Sequence, residues 1–194
     1  MTDLADEDEG SQAAEIQVRQ VFAYFGRAMY AASCVEHGLT IALMQAELMS
    51  QVIGRARRRQ TGPSRAEWEA MFDQYMGKHD LLGMGTLISR FRSVMKVDST
   101  LDALLDQTLI RRNHLAHAFF REKAVDFAHG AGRIGMIEEL DRDHDLFTRT
   151  DEAVQAAIAH IIPKLGIDPD KRRAQMDAIT KALLEEAKAK AAGV

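Results

Sequence analysis

Disulfides, membrane spans and enforced helix breaks all have little to build on in this chain. A single cysteine, Cys34, among 194 residues excludes an internal disulfide framework and fits a reducing compartment. Three prolines leave few places where a helix must stop. Valine, tyrosine and tryptophan are scarce beside Ala, Leu, Met, Gln, Glu and Arg, a balance that favours helix over strand. No apolar run reaches the roughly 18 residues of a spanning helix, and the acidic first residues are unlike a signal peptide. An excess of positive charge is missing too. The formal net charge is -4, and Asp3, Asp6, Glu7, Asp8 and Glu9 supply five of the negative charges, leaving the rest close to neutral. Any nucleic-acid contact must therefore be local. The expectation is one cytoplasmic, helical domain with no membrane association.

Residues 1–10 are acidic, nearly free of large apolar side chains and end in Gly10, and are expected to form a disordered tail. The single domain is expected over 11–190, with Ser11 as an N-cap. From Gln12 to about Arg57 the pattern is that of one long helix, with Phe25, Met29, Ala32, Leu39 and Leu43 on its apolar stripe. Glu36 falls on that stripe, where a carboxylate must be paired or open to a cleft. Arg55, Arg57, Arg58 and Arg59 lead into the loop Thr61-Gly62-Pro63, either as a solvated helix end or as a phosphate contact. Ser64 to Glu67 reads as a capping box for a short helix through Trp68 that stops at Gly77, and Trp68 reads as a core anchor.

A helix opens at Gly83-Met84-Gly85, and Asp98, Ser99 and Thr100 offer caps for the next, which should fade near Phe127. His129 to Gly132, prolonged by Gly135, reads as a break. A helix from Met136 to about Leu165, interrupted near Phe147–Thr150, should follow. Asp168-Pro169 starts the last helix. The fold class expected is all-α: an up-and-down helical bundle with a long first helix and an extra C-terminal helix.

Inside the helix after Ser99 stands Arg111-Arg112-Asn113-His114-Leu115-Ala116-His117, which puts guanidinium, amide and imidazole groups into an otherwise apolar pattern. Asn113 and His117, four apart, share a helix face, while Arg112 lies roughly 140° around the axis from His117. Two copies packed across a two-fold axis would close that gap.

An arginine, a polar residue after it and a histidine five positions on resembles the signature of the HEPN family (higher eukaryotes and prokaryotes nucleotide-binding). The resemblance rests on this seven-residue motif in an all-helical setting. It implies a HEPN-like bundle that dimerises to form a composite ribonuclease site, with neither metal nor cofactor. Carried over, Arg112 would stabilise charge on the phosphorane-like transition state and His117 would serve as general acid or base. Asn113 would position phosphate or histidine. From its place on the stripe, Glu36 reads either as a salt bridge locking two helices or as an acidic group holding the Arg/His site, and the two can coexist; Arg111 and His114 stand in support, and Arg111 also satisfies the family's spacing. The partners implied are a second copy, RNA, and an antitoxin protein, in toxin–antitoxin or phage-defence biology. Some family toxins carry a tyrosine two residues after the histidine that the antitoxin modifies; here that position is Phe119. The alternative is a non-catalytic HEPN-like module for interaction or nucleotide binding.

Rival sites are poorer. Glu138, Asp141, His144 and Asp145 share helical spacings, but a solvated face explains them better than a cation site. His37, His79, His129 and His160 have no second ligand at a telling spacing. Cys34 reads as a buried thiol, and Lys171-Arg172-Arg173 as a solvated first turn.

Overall fold

A computed structural model of the chain describes residues 3–48, 54, 64–79, 82–159 and 169–191. Among them every regular element is helical. These are α1 (Asp3–Leu43), a π-helical turn (Met44–Leu48), α2 (Arg65–His79), α3 (Met84–Val94), α4 (Ser99–His117), the single turns α5 (Phe119–Glu122) and α6 (Ala124–Phe127), α7 (Gly130–Ala159) and α8 (Pro169–Ala191). The Arg55–Arg59 cluster, the Thr61–Pro63 loop, His160 and Asp168 lie outside the described residues, as do the side chains of Trp68, His79, Lys171 and Arg172.

Local chemistry sets several of these boundaries. Ser64 and Glu67 close a reciprocal capping box: Ser64 N–H donates to Glu67 Oε2 at 2.8 Å, and Glu67 N–H to Ser64 Oγ at 3.3 Å. The Asp98 carboxylate caps α4 by accepting from Leu101 N–H at 2.8 Å. Pro169 is the first residue of α8, where its missing N–H costs nothing.

Helices α1, α3, α4 and α7 enclose one core, with Leu39, Leu43, Phe91, Leu105, Leu140 and Phe147 fully buried. Cross-links give the directions. Gln17 meets Arg133, Arg27 meets Asp141, and Gly38 lies against Asp151, so α1 and α7 run parallel. Thr108 Oγ1 sits 2.8 Å from Thr150 Oγ1, and Arg111 meets Asp143, so α4 runs against α7. Arg92 on Asp102 and Gly85 against Leu109 set α3 antiparallel to α4 as well. Met71 and Tyr75 of α2 pack on Met44 at the far end of α1.

Several expectations are corrected. The tail foreseen as disordered is helical from Asp3, and Ser11 lies inside α1 rather than capping it. No proline stands before Gly10 to force a break. α4 stops at His117 rather than near Phe127, because Ala118 leaves helical geometry at φ -128°, ψ -31°. The expected break at His129–Gly132 is only a short junction: α7 starts at Gly130 and runs through Gly132, Gly135 and Phe147–Thr150 without interruption. Phe147 and Thr150 are fully buried, so packing on both sides carries the helix through the expected gap. The buried stripe of α1 is Val21, Ala28, Ala32, Val35, Leu39 and Leu43, which sets Glu36 at its edge, not its middle.

Candidate functional site

The motif forms the last two turns of α4, between α1 on one side and α7 on the other. Just beyond it, Ala118 turns the chain so that Phe119 and Phe120 fold back onto α1. Phe119 lies 5.9 Å from Phe25, ring centre to ring centre, and Phe120 lies 4.9 Å from Phe25 and 5.5 Å from Phe22. Phe119 is fully buried and anchors the end of α4.

The two arginines of the motif point to different helices. Arg111 reaches α7, where Nε donates to Asp143 Oδ1 at 2.7 Å and Nη2 donates to Asp143 Oδ2 at 2.7 Å and Glu139 Oε1 at 2.6 Å. Lys123 Nζ joins the same cluster, 3.0 Å from Glu139 and 3.4 Å from Asp126. Donating to the Asp143 carboxylate raises the pKa of the Arg111 guanidinium against the opposing effect of burial. For Glu139, burial pushes the carboxyl up, but hydrogen bonds from Arg111 and Lys123 outweigh it, and the net direction is down. Three of the five N–H donors of Arg111 thus join α4 to α7.

Arg112 turns to α1. Its Nη2 lies 3.0 Å from Glu36 Oε1, with both side chains about a quarter exposed. The contact is one of charge: Glu36 Oε1 is closed off from solvent and no N–H is aligned to it as a hydrogen bond. The only hydrogen bond from this guanidinium among the described residues is a long one, Nη1 to Asn113 Oδ1 at 3.5 Å. Among the described residues, most of the five N–H donors of Arg112 have no hydrogen-bond acceptor.

His117 and Asn113 are exposed on the outer face of α4. Among the described residues His117 makes no hydrogen bond, ion pair or ring contact. His114 is committed: Nε2 is 3.3 Å from Glu122 Oε2, the ring meets the edge of Phe119, and Nδ1 is buried without a partner among the described residues. The chain therefore brings Arg112, Asn113 and Glu36 together, holds Arg111 and His114 aside in structural contacts, and leaves His117 exposed around the helix from Arg112.

Glu139 and Asp143 escaped sequence reasoning, which marked Glu138, Asp141, His144 and Asp145 one register away. The signal was present. Positions 139 and 143 alternate with Met136, Leu140 and Phe147 along the buried side of α7. Among the described residues no group of three or more His, Cys, Asp or Glu comes together as a metal site. A groove of about 570 Å³ along α7, lined by Arg142, Asp145, Thr148, Arg149 and Glu152, includes no motif residue. No helix among the described residues is long and apolar enough to cross a membrane. Compared with protein-family models, curated proteins and solved structures, the chain matches none.

Proposed function

We propose that this chain is a metal-independent endoribonuclease of the HEPN type, acting as a homodimer whose two motifs together form the site. The carrying observation is the division of labour within the motif. Arg111 spends three of its five N–H donors on α7, whereas among the described residues Arg112 makes one long hydrogen bond and His117 has no partner. A guanidinium with spare, preorganised donors suits the non-bridging oxygens of a phosphodiester, where charge builds up in the transition state. An exposed imidazole can transfer a proton at a ribose 2′-oxygen or a leaving 5′-oxygen. The two lie roughly 140° apart on one helix, so each needs its counterpart from a second copy. If two α4 helices cross antiparallel about a two-fold axis near Asn113, His117 of one comes within about one helical turn of the partner's Arg112.

Attack by the 2′-hydroxyl leaves a 2′,3′-cyclic phosphate and a 5′-hydroxyl, and DNA resists because it lacks the nucleophile. The test is cleavage of a diverse RNA pool with EDTA present. Wild type should cut, His117→Ala should lose at least about 100-fold, and Arg112→Ala should fall by a similar factor. Equal activity in wild type and His117→Ala, or none in either, removes the proposal. One observation favours a second reading, a non-catalytic helical module: both arginines also tie α4 to its neighbours through Glu36 and Asp143. The same assay separates the two.

A further inference from the structure

Glu36 and Glu139 each meet a motif arginine, yet their surroundings differ. Glu139 is fully used, bonded to Arg111 and Lys123. Glu36 has Arg112 Nη2 at 3.0 Å from its Oε1 but accepts no aligned hydrogen bond there, and no other cation pairs with it among the described residues. A carboxylate retained only to join two helices normally has its lone pairs satisfied. Here Oε1 is closed off from solvent and accepts no hydrogen bond, and the quarter of the side chain that meets solvent lies beside a guanidinium with spare donors.

We propose that Glu36 is the proton acceptor of the reaction, an assignment that rests on the ribonuclease reading above. A phosphodiester held by the free donors of Arg112 shares that guanidinium with Glu36. The vicinal 2′-hydroxyl is thereby set beside the carboxylate. Glu36 takes the 2′-hydroxyl proton as the 2′-oxygen bonds to phosphorus. The phosphorus–5′-oxygen bond then breaks, and the leaving oxygen takes a proton from the imidazolium of His117. Glu36 ends protonated and His117 neutral, and exchange with water restores both. His117 lies around the helix from Arg112, so the acid comes from the partner: one protomer supplies Glu36 and Arg112, the other His117. Among the described residues the charged group that meets Glu36 is Arg112, from α4.

The test pairs pH–rate profiles with subunit complementation. Glu36→Gln should lose about 10²- to 10⁴-fold in kcat/KM together with the acidic limb of the profile, while Glu36→Asp keeps that limb at a reduced rate. A heterodimer of one Glu36→Gln and one His117→Ala protomer, isolated with two tags, has one intact site of two and should recover about half of wild-type activity. Activity of Glu36→Gln within a few-fold of wild type, an unchanged acidic limb, or an inactive heterodimer of folded subunits overturns the assignment while leaving the ribonuclease standing. Should Glu36→Gln not fold, Glu36→Asp decides: a rate and profile equal to wild type overturns it. If wild type cuts no RNA, the ribonuclease reading itself falls and Glu36 loses its role with it.

Discussion

Arg111 and Arg112 are adjacent in sequence and opposite in circumstance. Asp143, opposite Arg111, has a side chain only 5% exposed, so removing the guanidinium strands a buried charge. Arg111→Ala is expected to cost about 2–4 kcal/mol, below the top of the range because part of Arg111 still meets water. Arg112→Ala should cost about 1 kcal/mol or less, since Glu36 can turn outward, and its loss should appear in RNA cleavage instead. Urea unfolding of the two variants decides, and equal costs would contradict the division of roles.

Asp151 offers a pH test at the same scale. Burial holds its carboxyl above the ordinary value of 3.8, against the hydrogen bond from Gln155. The folded state then binds this proton more tightly than the unfolded one, so folding gains as the pH falls through the raised value, and the ionised form is a burden at neutrality. Asp151→Asn should raise Tm at pH 7, with the gain shrinking as the pH drops and gone below 3.8. A gain independent of pH would point to some other cause.

At the scale of elements, the glycines of α7 separate two uses of the same residue. A Cβ at Gly132 would collide with the Asp126 backbone, so this position lets α7 pass close under α6. At Gly135 a Cβ meets nothing within 4 Å. Gly132→Ala should therefore destabilise by about 2 kcal/mol or more, and Gly135→Ala should stabilise by roughly 0.5–1 kcal/mol through helix propensity. Thermal melts of the two variants should move in opposite directions.

Read locally, the same glycines spell a loop, and this is where sequence and structure part. What depends on neighbours in the chain was legible: the Ser64–Glu67 box, a cap among Asp98, Ser99 and Thr100, and the Pro169 start. What depends on distant contacts was not. The buried face of α1 is turned from the large side chains Phe25 and Met29 toward Ala28, Ala31, Ala32, Gly38 and Ala42, because α1 and α7 approach closely where side chains are small. Hydrophobic spacing gives little weight to alanine. Nor could spacing tell Arg111 from Arg112, because Glu139 and Asp143 lie about 30 residues downstream.

For the whole molecule, the bundle satisfies the inner faces of α4 and leaves its outer face without a partner among the described residues. Ala103, Asp106, Ile110, Asn113 and His117 are exposed at spacings of three and four, and Ile110 is 67% exposed at the centre of the row. Such a row is the geometry by which one helix packs against another, and it contains the residues for which the proposed site needs a second copy. Asp106 is already held by Arg92 at 2.7 Å, so its charge need not oppose a neighbour. Ile110→Arg removes no buried contact and should leave the melting of the monomer within about 0.5 kcal/mol of wild type. In the proposed dimer it places two like charges near the two-fold axis, one from each copy. Analytical ultracentrifugation should then show wild type as a dimer and the variant as a folded monomer, and the variant should cleave no RNA although Arg112, Glu36 and His117 are all intact. A monomeric variant that still cleaves would place the site within one chain. A dimeric variant would move the interface off α4.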